Sequence, residues 1–96
     1  MGASDFYNFA KGKTAKEAFA SAVEEAQYLD GHAGYSGTIA EKSAFRLISL
    51  PEGSDPEEYA QQLVNDCDPR IDDKWGPAGC IQLPDHRWLF FGWASS

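Results

Sequence analysis

The chain has 96 residues, of which 43% are hydrophobic and 14% aromatic, and its formal net charge is −7. This size and composition indicate one domain over residues 1–96 and argue against a disordered chain. The few, scattered Lys and Arg residues disfavour binding to long nucleic acid, and no apolar run reaches the ~20 residues that a membrane span needs.

The first predicted element is a short strand over residues 5–10, where apolar and polar side chains alternate before Gly12 ends it. A helix follows in "TAKEAFASAVEEAQYLDG", where Thr14 and Glu17 have the spacing of a capping box. One face of this helix is apolar at three-and-four spacing. That face consists of Ala15, Ala18, Phe19, Ala22, Val23 and Ala26.

Residues 38–50 are rich in β-branched and aromatic side chains but alternate imperfectly, which predicts one long bent strand or two short ones. A second helix is predicted after Asp55, which serves as N-cap, with Pro56 at the first helical position and Glu58 completing a capping box. Its apolar stripe consists of Tyr59, Ala60, Leu63 and Val64.

The chain closes with a predicted hairpin, in which Pro84, Asp85 and His86 form the turn. Both faces of its last strand are apolar, so we expect that strand to lie at the centre of the sheet or to be covered on both sides.

The order strand, helix, strand, helix, strand, strand predicts an α+β fold. We expect a small two-layer sandwich, with two helices on one face of a mostly antiparallel or mixed sheet of about four strands. A ferredoxin-like arrangement stays open as an alternative, although the closing hairpin departs from its usual order.

The segment "GHAGYSGT" between the first helix and the next strand combines glycines with polar and aromatic side chains. Its glycines can turn N–H groups toward an anion, its hydroxyl groups can add donors, and its rings can stack on a base or sugar. A helix C-cap and a connecting turn explain the same residues equally simply. The candidate ligand-binding residues here are His32, Tyr35, Ser36, Gly37 and Thr38.

A second candidate segment, "PRIDDKWGPAG", is dense in charge and contains one tryptophan. The tryptophan beside a cation resembles a stacking platform, the basic side chains can hold phosphate, and the carboxylates can take ribose hydroxyl groups. A rigid surface loop is the alternative. The candidate ligand-binding residues here are Arg70, Asp72, Lys74 and Trp75.

Evidence for catalysis is weaker, and we expect a protein that is not an enzyme and uses no metal or cofactor. Ser36 with His32, or His32 with His86, would supply a nucleophile and base, but Ser36 is not in a G-x-S-x-G elbow. Cys67 and Cys80 form no CxxC pair, so we expect free thiols, with Cys80 packing as a small hydrophobic residue.

The stretches "GHAGYSGTIAEK", "DPRIDDKWGPAGCIQL" and "WLFFGWAS" resemble small uncharacterised proteins of phages and some bacteria. The resemblance implies a phage accessory role in the host cytoplasm, directed against host defence. Such a protein would sequester a nucleotide signal or block a host protein. The chain start shows no basic region followed by an apolar one, so we expect no signal peptide and a cytoplasmic location.

These observations lead to one expected function and two alternatives. We expect a protein that sequesters a small nucleotide-like or anionic ligand between residues 31–38 and 70–76, within one chain or across a homo-oligomer interface. The net negative charge opposes an anionic ligand unless the local field is positive. The first alternative is an acidic inhibitor that binds a host protein, and the second is a small hydrolase that acts on a nucleotide.

Overall fold

The computed structural model describes residues 2–30 and 37–95. Four strands form one sheet in the order β1-β4-β3-β2, in which β4 pairs antiparallel with β1 and β3, and β2 pairs parallel with β3. The α+β fold and the mostly antiparallel sheet are therefore confirmed. The elements are β1 (Ala3–Lys11), α1 (Ala15–Asp30), a 3-10 helix (Ile39–Glu41), β2 (Phe45–Leu47), α2 (Pro56–Asn65), β3 (Ala78–Leu83) and β4 (Arg87–Ser95).

Both helices begin at the caps that the sequence predicts. Thr14 Oγ1 accepts a hydrogen bond from the N–H of Glu17 at 3.2 Å, and the Glu17 carboxylate accepts one from the N–H of Lys13 at 3.0 Å. At the second helix, the Asp55 carboxylate accepts from the N–H of Glu58 at 3.0 Å. These bonds satisfy N–H groups that the first helical turn leaves without partners.

The side chains of β4 alternate between two separate apolar cores. Trp88, Phe90 and Ala94 pack with α1, whereas Leu89 and Phe91 pack with α2. Because successive side chains of a strand point to opposite faces, the two helices lie on opposite sides of the sheet. The expectation of two layers with both helices on one face was wrong, and the sheet is the middle of three layers.

The physical reason for this arrangement lies in β4 itself. The strand is buried on both faces and lies between β1 and β3, which confirms that it is central. Helices on one face alone would leave Leu89 and Phe91, or Trp88 and Phe90, in water.

Residues 38–50 form less strand than their composition indicates. Thr38 caps the 3-10 helix, with its Oγ1 accepting from the N–H of Ala40 at 3.2 Å, and only Phe45–Leu47 pairs with β3. The fully buried Ile39 reaches the core from this helical turn. The imperfect alternation therefore reflects a change of secondary structure and not a bend in one strand.

The predicted hairpin is confirmed, and its turn carries positive φ at two consecutive residues, 63° at Asp85 and 59° at His86. Leu83 and Arg87 are the last paired residues, so residues 84–86 form a three-residue loop that contains both left-handed positions. The turn also holds the end of β1, because the N–H of Gly12 donates to the carbonyl of His86 and Trp88 Nε1 donates to the carbonyl of Gly12, both at 2.9 Å.

Candidate functional site

The first predicted binding segment is described only in part. His32, Tyr35 and Ser36 lie outside the described residues. Gly37 is buried with φ at 73°, and its N–H donates to the carbonyl of Ser95 at 2.8 Å. This bond fixes the start of the 3-10 helix segment at the end of β4.

The second segment reaches the same end of the sheet. Lys74 Nζ donates to the carbonyl of Gly2 at 3.2 Å, and Gly2 precedes Ala3, which pairs with Ser95. The carbonyl of Ser95 is also the one that Gly37 binds. The described parts of the two predicted segments therefore approach one end of the sheet, where β1 begins and β4 ends.

At this end the half-buried Lys74 lies beside the exposed Trp75. The Lys74 ammonium lies 5.5 Å from the centroid of the Trp75 ring, and Trp75 is 62% exposed. The Asp73 carboxylate accepts a hydrogen bond from the N–H of Trp75 at 2.8 Å, which holds the loop backbone. A cation over an accessible aromatic face is a feature that stacking ligands use.

Lys42 has a structural role that its sequence context does not predict. Only 5% of it is exposed, and its ammonium donates to the carbonyls of Asp73, Lys74 and Gly76 at 3.3, 3.1 and 2.9 Å. Burial lowers the pKa of Lys42, while the charge of Asp73 opposes that shift. Lys42 therefore fastens the residues after the 3-10 helix to the second predicted segment.

Arg70 is already paired within the chain. Its Nε and Nη2 donate to the two carboxylate oxygens of Asp68, each at 2.9 Å, and its backbone N–H donates to the same carboxylate. These bonds lower the pKa of Asp68 to about 2 and raise the pKa of Arg70. Because Asp68 neutralises the guanidinium, Arg70 offers an anion less attraction than a free arginine would.

Asp72 faces the exposed thiol of Cys67. Its charge and a hydrogen bond raise the pKa of Cys67. Both cysteines are free, as predicted. Cys80 is fully buried, and burial raises the pKa of its thiol to about 12. Within residues 2–30 and 37–95, no group of three or more His, Cys, Asp and Glu side chains could hold a metal ion.

A cavity of about 310 Å³ lies beside Gly37 and Thr38, between β1 and α1. Asp5 and Glu25 are among the residues that line it, and none of residues 70–75 does. Tyr7 also lines the cavity, and its pKa is raised to about 12. Burial is the largest cause, and the charge of Asp5 and a hydrogen bond with it add to the rise. The described residues of the two predicted segments therefore do not share this cavity.

A larger groove of about 710 Å³, which we call the α1–β2 groove, lies between α1 and the residues leading into β2. Its floor is aromatic: the ring centroids of Phe19 and Phe45 are 5.1 Å apart, and those of both from the buried Phe90 are 5.5 and 5.8 Å. The groove is lined by Lys16, Phe19, Ala20, Val23, Glu24, Gln27, Lys42, Ser43, Ala44 and Phe45.

This groove exists because one helix cannot cover a four-stranded sheet. A helix is about 10–12 Å wide, whereas four strands span roughly 19 Å. Helix α1 packs against β1 and the 3-10 helix and less against β4, and it leaves much of β2 uncovered. Leu47 pairs with Cys80 of the core on the α1 side, so it faces that side, and it is 62% exposed. The sequence does contain one signal for this groove. Phe19 and Val23 make the apolar face of α1 wider than its alanines alone would.

The described helices include none that is long and apolar enough to cross a bilayer. No family model matches the chain, and no curated protein or solved structure shows a significant match. Residue roles therefore rest on geometry alone.

Proposed function

We propose that this protein is a non-catalytic binding protein that docks an apolar-faced helix of a partner protein in the α1–β2 groove. The observation that carries the proposal is the uncovered part of the sheet on the α1 side. There, Phe19 and Phe45 form an aromatic floor, and Leu47 extends the apolar surface along β2.

The shape of the groove suits a helix. It is open, it runs along α1, and it lies where a second helix would complete the layer on this face. Helices pack side by side on a sheet or on each other at about 8–10 Å, so a docked helix would contact both α1 and β2. Recognition of a helix in a groove relies on apolar side chains at i, i+3, i+4 and i+7.

The charge of the chain specifies the other face of that helix. Fifteen acidic residues against eight basic ones give the surface a negative field. A partner helix with basic residues on its outer face would be attracted to the acidic chain, whereas an acidic one would be repelled. For a phage accessory protein, a role that the resembling segments suggest, such docking would block a host protein.

The test uses two synthetic helical peptides with the same leucine pattern, one with lysines and one with glutamates on the polar face. We expect isothermal titration calorimetry to show binding of the lysine peptide alone. Leu47→Asp should weaken that binding by about tenfold or more, because it places a carboxylate on the apolar surface of β2 that continues the groove and that a docked helix would cover.

Leu47→Asp separates docking from simple charge attraction, because the added negative charge would strengthen attraction of a basic peptide anywhere else on the surface. Leu29→Asp is the matched control, because Leu29 lies on α1 beside the cavity at β1 and the variant adds the same charge away from both the groove and β2. Unchanged or tighter binding by Leu47→Asp would overturn the proposal, as would equal losses in both variants.

A small anionic or nucleotide-like ligand at the sheet end is the second candidate function. The Lys74–Trp75 pair favours it, together with the approach of Gly37 to the same end of the sheet. The pairing of Arg70 with Asp68 weighs against it, and so does the cavity beside Gly37, which none of residues 70–75 lines.

This second candidate has its own test. We expect a cyclic dinucleotide or ADP-ribose to raise the melting temperature of the wild type but not of Trp75→Ala or Lys74→Ala. Recovery of the intact nucleotide would indicate sequestration, whereas recovery of a cleaved one would favour the hydrolase alternative. An unchanged melting temperature in the wild type with both compounds would count against this candidate.

A further inference from the structure

The long strand β1 lies at one edge of the sheet, and among the described residues no strand pairs with its outer side. We propose that a second copy of this chain pairs here, with β1 antiparallel to β1 and the two-fold axis at Asn8. The pairing would join the two sheets into one continuous sheet. An exposed edge strand offers unpaired N–H and C=O groups to such a partner.

The backbone of β1 shows which residues would make the new hydrogen bonds. Gly12 continues the register of β1 with β4 and donates its N–H to the carbonyl of His86. Because hydrogen-bonded pairs alternate along an antiparallel ladder, the even-numbered residues of β1 face β4. The odd-numbered residues, including Asp5, Tyr7 and Phe9, therefore direct their N–H and C=O groups toward the free edge.

With the axis at Asn8, odd-numbered residues of the two copies lie opposite each other, as this backbone pattern requires. Asp5 then faces Lys11 of the second copy, and Tyr7 faces Phe9 of the second copy, each pair occurring twice. Opposite charges and aromatic pairs across two strands both stabilise a sheet. The sequence of β1 is thus complementary to itself in this register.

The charges of the isolated chain favour the same pairing. Lys11 lies directly opposite Arg87 of β4, which is an unfavourable like-charge pair. Within the described part of the chain, neither forms a salt bridge, and Arg87 lies 5.5 Å from the ring centroid of Phe9. In the dimer, the carboxylate of Asp5 from the second copy would lie next to Lys11 and Arg87 and reduce the repulsion between them.

The free edge is bordered by exposed apolar surface that a second copy would cover. Phe9 is 48% exposed and Leu29 is 72% exposed, and both line the cavity between β1 and α1. Burial of apolar side chains on both sides of the new strand pair adds to the free energy of association.

The experiment uses charge reversal at the two ends of the proposed pair, with sedimentation equilibrium to measure the dimer dissociation constant. In a homodimer, Asp5→Lys sets two lysines opposite each other at each end of the pairing, and Lys11→Asp sets two aspartates opposite each other there. We expect each variant alone to weaken the dimer by about tenfold or more. A mixture of the two variants should form a heterodimer about as tight as the wild-type dimer, because both pairs are then opposite in charge.

Lys13→Asp is the matched control, since it changes the net charge like Lys11→Asp but lies outside β1. We expect this control to dimerise nearly like the wild type, and circular dichroism to show that every variant is folded. A wild-type monomer at all concentrations up to about 1 mM would overturn the proposal. Homodimers that persist in both reversed variants, or no gain on mixing, would also overturn it.

Discussion

The ring of Phe91 covers the backbone of Gly79, its cross-strand partner in the β3–β4 ladder. A Cβ at residue 79 would lie 2.6 Å from Cζ of Phe91, which is too close for any real contact. Phe91 is fully buried in the core on the α2 side, so the ring cannot move aside without disturbing its neighbours.

Gly79→Ala should therefore lower the free energy of unfolding by about 2–4 kcal/mol, measured by urea denaturation. Gly53→Ala is the comparison, because residue 53 has open space around it but a φ of 80°. That variant should cost only about 1 kcal/mol, for backbone reasons alone. Equal losses in the two variants would contradict the steric explanation.

Lys42→Met should destabilise the protein by about 2 kcal/mol, because it leaves three carbonyls without their donor while keeping the length of the side chain. The loss should be concentrated in the loop that Lys42 holds. We expect hydrogen exchange to become faster at the N–H of Gly76, which donates to Asp73, while exchange in β4 stays slow. Unchanged exchange at Gly76 would show that the loop does not depend on Lys42.

The Asp68–Arg70 pair should make stability depend on pH in the acid range. Since the pKa of Asp68 is about 2 in the folded chain and ~3.9 in a free aspartate, the folded state favours the ionised form. Its stabilising contribution is complete above about pH 4 and is lost as the pH falls toward 2. The contribution is small, because Arg70 is partly exposed.

Asp68→Asn removes this titrating group, so the free energy of unfolding of the variant should fall less between pH 4 and pH 2 than that of the wild type. Glu52→Gln, which removes an exposed carboxylate from the loop before α2, is the control. Parallel pH profiles for the wild type and Asp68→Asn would contradict the assignment.

His86→Gly should stabilise the chain by up to about 1 kcal/mol, because residue 86 has a φ of 59° that glycine adopts without steric cost. The variant places glycine at the last position of the three-residue loop between the paired Leu83 and Arg87. Thermal unfolding would measure the gain, and a loss of stability would mean that the imidazole makes contacts worth more than the strain. The same variant would also test His86 in the hydrolase alternative.

Local signals predicted most of the fold. The capping spacings of Thr14 and Asp55 placed the helix starts, and the turn residues 84–86 placed the hairpin. The apolar residues on both faces of β4 predicted its central position. Apolar side chains on both faces of a central strand need a helix on each face. The expectation of two helices on one face was therefore inconsistent with this pattern.

The site was harder to predict because its contacts join distant parts of the chain. No residue near Lys42 in the sequence predicts that its ammonium binds carbonyls more than thirty residues away. The pairing of Arg70 with Asp68 was easier to predict from the sequence, since an arginine two residues after an aspartate can form an ion pair with it. The α1–β2 groove depends on how much of the sheet one helix covers, which only the tertiary arrangement determines.

The enclosed ammonium of Lys42 has a consequence for chemical labelling. An amine-reactive reagent attacks the neutral amine at an accessible position, and the carbonyls around Lys42 leave it no line of approach. Acylation at this residue would therefore report opening of the loop, whereas acylation of the exposed Lys13 would report only its contact with solvent.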